Sequence, residues 1–154
     1  MRIAFYAPLK SPNSIVPSGD RRIARSFIKA LEIKGHKVSI VSDFRSRDPL
    51  GEIQTQKKFK EKGERIAESL LISYKKAEEF DTPKLWFTYH LYYKAIDWIG
   101  PIVARELNIP YVVAEVSYAP KRSEGNWSSS HSELTRIIKN SDVIFSLNSA
   151  DTPC

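Results

Sequence analysis

Short apolar runs alternate with longer amphipathic stretches along this chain. Ile3-Ala4-Phe5-Tyr6 is the first run, and residues 2–8, bounded by Pro8, read as a strand covered on both faces. An irregular loop from Leu9 to Gly19 follows, with two prolines and three serines. Beyond it Ile23, Phe27, Ala30 and Leu31 recur at helical spacing, with Ala24 and Ile28 alongside. Gly19 or Asp20 caps this helix, Gly35 stands where a helix end favours a left-handed residue, and Val38, Ile40 and Val41 make the next strand. Phe44 to Gly51 reads as a polar turn. Glu52 to Phe80 is charged and helix-favouring, with Ile66, Leu70, Tyr74 and Ala77 in one stripe and Gly63 as a point where it can divide in two.

Asp81-Thr82-Pro83 breaks that helix, and Leu85 to Tyr89 form a third strand ending at His90. Tyr92 to Leu107 carries a helical pattern through Ile96, Ile99, Val103 and Leu107, interrupted or restarted at Gly100-Pro101, because proline is comfortable only in a first helical turn. Tyr111 to Val116 is a fourth strand, Ala119 to Trp127 a loop, Ser132 to Asn140 a short helix and Val143 to Leu147 a fifth strand. Alternating strands and helices imply right-handed crossovers. The expected fold class is α/β, a Rossmann-like and mainly parallel sheet of about five strands with helices on both faces.

Composition narrows the class without naming a chemistry. With 154 residues, 42% hydrophobic and 27% charged, the chain has the makings of one globular domain rather than a disordered segment. No apolar run nears the roughly 20 residues that span a bilayer, and no secretory cleavage site follows Met1. A cytoplasmic protein is expected, with attachment to the inner face of the membrane as an option. Asn126-Trp127-Ser128 matches a glycosylation sequon that such a chain has no route to use. The net charge of +6 favours anionic partners, but the basic residues are spread along the chain rather than gathered in one stripe, so no specific nucleic acid is expected. Cys154 is the single cysteine and the three histidines are scattered, which argues against an intramolecular disulfide or a zinc site. No metal and no cofactor are expected.

In open parallel sheets ligands lie beyond the carboxyl ends of the strands. Four loops qualify: Leu9 to Gly19, the turn after Asp43, His90 to Lys94, and Ser117 to Trp127. The first ends at a helix N-terminus, where free amides hold phosphates; Ser18 and Gly19 permit close approach and Arg21 or Arg22 adds charge. The alternative is an ordinary capped connection, and neither G-x-G-x-x-G nor a Walker lysine is present. His90 either hydrogen-bonds a sugar hydroxyl or the reacting centre, or satisfies a neighbouring carbonyl; His36 and His131 read as surface residues. Glu115, charged within an apolar strand, either faces the cleft near Lys121 or Arg122 or pairs with one of them. Tyr92, Tyr93, Tyr118 and Trp127 are candidate stacking surfaces for sugar rings, or rim packing.

Met1 to Pro8, Pro17-Ser18-Gly19-Asp20-Arg21-Arg22, Gly35-His36-Lys37-Val38, Trp86 to His90, Asn108 to Val113 and Ser146-Leu147-Asn148 together resemble the N-terminal half of bacterial family-4 glycosyltransferases of the GT-B fold. The resemblance covers essentially the whole chain, 1–154. It implies an enzyme that moves a sugar from a nucleotide diphosphate donor to an acceptor with retention of configuration and usually without a metal. In such enzymes the N-terminal domain mainly binds the acceptor, a glycine loop approaches the donor diphosphate, and a histidine at a middle strand end reaches the transferred sugar. Gly19 and His90 look like those positions. The resemblance further implies a C-terminal donor-binding domain, supplied in cis or in trans, without which the chain is expected to be inactive. Donor sugar and acceptor are left open, the charge balance leaning toward an acidic lipid or a phosphate-bearing acceptor. The reading from another class is a non-catalytic α/β module that binds a nucleotide or a partner.

Overall fold

Five strands and four α-helices alternate along the computed structural model, which describes residues 1–147. The order is β1 Arg2–Tyr6, α1 Gly19–Ile33, β2 Lys37–Ser42, α2 Ile53–Lys76, β3 Leu85–Tyr92, α3 Gly100–Leu107, β4 Tyr111–Ser117, α4 Ser128–Lys139 and β5 Val143–Phe145. All strand pairs are parallel, and the sheet runs β2-β1-β3-β4-β5. The expected α/β class holds. The chain moves outward from β1 to β2 and then returns to the far side of β1, so the winding reverses between β1 and β3. In doubly wound sheets that reversal opens a crevice at the carboxyl ends of the two strands.

The two faces of the sheet have different covers. Ile3, Phe5, Phe87, Tyr89, Val112 and Ala114 point toward α1, which contributes Ala24, Phe27, Ile28 and Leu31. Phe5 and Phe87 stack at 5.4 Å between ring centroids. Ala4, Tyr6, Trp86 and Val113 point the other way, into a larger core with Ala67 of α2, Val103 of α3 and Leu134 and Ile137 of α4. Removing side chains of this size from water stabilises the fold by about 1.5–3 kcal/mol each, which makes this face the main source of cohesion. Local chemistry fixes the α1 ends: extended Ser18 precedes the helix, and Gly35 at φ 82° lets His36 N–H reach Leu31 O at 3.1 Å.

Several elements differ from the sequence expectation. β3 runs on to Tyr92, and no helix occupies residues 93–99; Tyr93, Ala95, Ile96 and Ile99 are buried from irregular backbone. That segment is organised by Asp97, which is 1% exposed. One of its oxygens accepts from the Ile99 and Gly100 amides, and the other from the Thr88 hydroxyl at 2.5 Å, the Tyr111 hydroxyl at 2.9 Å and the Trp86 indole at 3.3 Å. Gly63 does not divide α2; a Cβ there would stand 2.3 Å from Trp98 Cβ, so the glycine admits Trp98 against an unbroken helix. Residues 44–51 are not simply polar and exposed, since Phe44, Ser46 and Asp48 are buried in alternation. α4 begins four residues early, at Ser128, and carries His131 inward at 4% exposure, so His131 is a core residue. β5 is three residues long rather than five. Asn148 and Cys154 lie outside the described residues. Among the described residues no helix is long and apolar enough to cross a membrane.

Candidate functional site at the carboxyl ends of the strands

The four loops singled out in the sequence meet along one edge. Ser46 N–H donates to Pro8 O, Asp48 N–H to Lys94 O and Arg45 to Leu9 O, while Gln56, in the first turn of α2, donates to Asn126 O, so the loops are held to one another and to the start of α2. Tyr93 and Trp127 meet edge to face at 5.3 Å between centroids. These ties place the side chains below on a connected rim rather than on independent loops.

The crevice between β1 and β3 holds His90 and the start of α1. Asp20, in the first turn of α1, lies with Oδ1 3.1 Å from His90 Nδ1 and Oδ2 2.5 Å from Lys10 Nζ. Burial alone would raise the Asp20 carboxyl; the hydrogen bond from Lys10 and the charges of His90 and Lys10 outweigh it and hold the group below its ordinary value. An ionised Asp20 accepts, so Nδ1–H of His90 donates and Nε2 remains for a ligand. Beside this pair the first amides of α1 have no partner within the helix, and Ser18 does not cap them. Ser18 Oγ is itself buried without a hydrogen-bond partner. Gly19 is exposed, with nothing within 4 Å of where a Cβ would stand.

The backbone here is unusual. His90 at φ 60° and Glu115 at φ 66° are left-handed residues inside strands, and they stand side by side, because Tyr89 pairs with Ala114 and Leu91 with Val116. Such conformations cost non-glycine residues of order 1–2 kcal/mol each and concentrate at functional sites. Tyr89, between Asp20 and Glu115, has its hydroxyl pKa raised first by burial and then by those two carboxylates. No ion pair ties Glu115 to Lys121 or Arg122 among the described residues.

The remaining sequence candidates divide into two groups. Arg21 is spent on the loop, donating to Ser11 O and Val16 O, and Arg25 does the same at Pro12 O and Ser14 O. Arg22 and Lys121 are exposed. Tyr118 packs against buried His131 at 4.7 Å, whose Nε2 has no partner. Tyr92 and Arg122 come together with Tyr93: the Tyr92 hydroxyl donates to that of Tyr93 at 3.3 Å, and Arg122 Cζ lies 5.9 Å from the Tyr93 ring centroid. Burial and the hydrogen bond push Tyr92 up to about 12. Burial would raise Tyr93 too, but the bond from Tyr92 and the charges of Lys94 and Arg122 bring it below the ordinary tyrosine value.

Sequence reading missed Asp20 as the partner of His90, although an acid directly after Gly19 in a first helical turn was visible. It missed Lys10, Arg47 and Lys94 because nothing in their neighbourhood along the chain distinguishes them from solvated lysines and arginines. A depression of about 630 Å³ lies instead at the amino ends of the strands, between the C-termini of α3 and α4. Its polar groups are already engaged: Arg136 binds Glu133, and Asp142 accepts from Tyr111 N–H at 2.8 Å. Searches against protein-family models, curated proteins and solved structures give no match to the chain.

Proposed function

We propose that the chain is the acceptor-side half of a retaining glycosyltransferase, completed by a donor-binding domain in cis or in trans. The observation that carries this reading is the Asp20–His90 pair in the β1/β3 crevice, directly beside the open N-terminus of α1. In such a transfer the bond from the anomeric carbon to the leaving phosphate breaks, the diphosphate departs with the electron pair, and the acceptor oxygen bonds to the same face while its proton passes to the leaving phosphate. The α1 amides and Ser18 Oγ offer hydrogen bonds to the diphosphate as its charge grows. His90 Nε2 holds a hydroxyl of the transferred sugar, and Asp20 keeps the ring in the required tautomer and orientation. The left-handed backbone at His90 and Glu115 turns both side chains out of the alternation a regular strand would impose.

The test pairs this chain with the donor-side polypeptide, either as one longer chain or as the product of an adjoining reading frame. Sugar transfer is scored over a panel of uridine, guanosine and thymidine diphosphate hexoses. His90→Ala is expected to lower kcat about 100-fold with donor KM little changed, the loss typical of one positioned hydrogen-bonding group. Absence of both donor binding by calorimetry and turnover in the completed protein overturns the transferase reading and leaves a non-catalytic binding module.

A further inference from the structure

A second group of side chains stands beside the His90 crevice, and its charges are not balanced. Lys94 Nζ lies 5.1 Å from the Trp127 ring centroid and 5.8 Å from that of Tyr93. Arg122 Cζ lies 5.9 Å from the same Tyr93 centroid, and its Nε is buried without a hydrogen-bond partner. A backbone bridge pairs Arg47 with Ala95, and the Arg47 charge acts on the Tyr92 hydroxyl. None of the three cations takes part in an ion pair among the described residues. The carboxylate next to Arg47, Asp48, is buried and occupied by the Leu50 and Gly51 amides. At the centre, Tyr93 accepts the Tyr92 hydrogen, so the Tyr93 hydroxyl hydrogen is free to donate.

We propose that the Tyr92–Tyr93 hydroxyl pair, ringed by Arg47, Lys94 and Arg122, binds a phosphoryl group. Three cations gathered without an acid repel one another, and a multivalent anion relieves that repulsion. A carboxylate offsets one charge. A phosphoryl group offsets two and has oxygens for a guanidinium fork, an ammonium and a hydroxyl together. The Tyr92 ring centroid is 6.1 Å from that of His90, so a ligand held here by its phosphoryl end presents its remaining atoms to the crevice. Calling that ligand the sugar acceptor rests on the transferase reading; the anion site does not. Its source is either a soluble phosphomonoester or the headgroup of a phospholipid.

The experiment maps backbone amide shifts of the isotope-labelled chain during titration with inorganic phosphate at constant ionic strength, with chloride as the reference. A parallel arm measures co-sedimentation with phosphatidylcholine vesicles with and without phosphatidic acid. Saturable shifts at residues 92–94 and 121–127, weakened about tenfold in Lys94→Met/Arg122→Met, support the site. Binding to phosphatidic acid vesicles alone, with the same dependence on Lys94 and Arg122, also supports it and identifies the source as lipid. The single variant Arg122→Lys, which keeps the charge but loses the fork, gives a smaller weakening and keeps the test open should the double variant fail to fold. Binding to neither probe, affinity unchanged in the variants, or shifts confined to the start of α1 overturn the proposal. A failed transferase assay leaves all these readouts unchanged, so the two ideas fall separately.

Discussion

Asp20 and Glu115 show two opposite ways in which one carboxylate residue bears on this crevice. Asp20 is held below its ordinary pKa by Lys10 and His90, so the stability it confers is present above the unfolded value of about 3.9 and is lost as pH falls through the lower folded value. Asp20→Asn should therefore lower stability near neutral pH by about 0.5–1 kcal/mol, the scale of a partly solvated pair, and the gap from the wild type should close below about pH 4. Thermal melts of both proteins across that range check it; a gap independent of pH would assign the loss to packing instead. Glu115 acts through its backbone. At φ 66° a glycine pays no Cβ penalty, so Glu115→Gly should be more stable than Glu115→Ala by about 1 kcal/mol, reversing the order found in an ordinary strand. Denaturant titration of the two variants decides whether that strain is real. His90 was legible as a candidate because it ends an apolar run, whereas its left-handed backbone and its tie to Asp20 were not, since both depend on a neighbouring strand and a helix distant in sequence.

At the scale of elements, legibility followed periodicity. β1 is a nearly continuous apolar run, readable as a buried strand, and β3 and β4 are readable as strands although Thr88, His90 and Glu115 interrupt their apolar runs; α1 is readable from its spacing and from Gly35. Residues 93–99 depart from the periodic reading for a physical reason: Tyr93, Ile96 and Ile99 sit at helical intervals, but they are buried from an irregular chain in which Asp97 takes the Ile99 and Gly100 amides and Tyr92 O takes that of Ala95. Periodicity cannot report a buried carboxylate acting as an organiser. α4 was read short because three consecutive serines are weak helix formers, yet they occupy its first turn, where such residues are tolerated. Gly63 illustrates the limit of propensity most directly. Alanine is a better helix former than glycine by about 1 kcal/mol, which alone predicts that Gly63→Ala stabilises α2. The Trp98 Cβ would then be met at 2.3 Å and its carbonyl carbon at 3.2 Å, so overpacking wins and a net loss of about 1–2 kcal/mol is expected. Chemical denaturation measures the sign, and a stabilised variant would mean that Trp98 has room to move.

The molecule as a whole is most exposed where its sheet ends. β4 is buried at Val112, Val113 and Ala114, but the β5 residues paired with them, Val143, Ile144 and Phe145, are 43%, 42% and 50% exposed. Successive strand residues face opposite sides, so neither face of the sheet is covered at β5 among the described residues. Interior parallel strands are normally covered on both sides, and among the described residues β5 pairs with a neighbouring strand through one edge only. An apolar strand at the end of a sheet is a template for another chain, and the +6 net charge opposes association only over about a Debye length, roughly 8 Å at physiological salt. The protein should therefore associate as concentration and salt rise, through β5 rather than through its charged helical surfaces. Ile144→Lys places a charge on that strand, at a side chain already 42% exposed, while its partner Val113 stays buried in β4, so it should shift the protein toward the 17.6 kDa monomer with little effect on the melting temperature. Light scattering coupled to size-exclusion chromatography at low and high salt reads the result. A wild type that is monomeric under both conditions would show that β5 is protected.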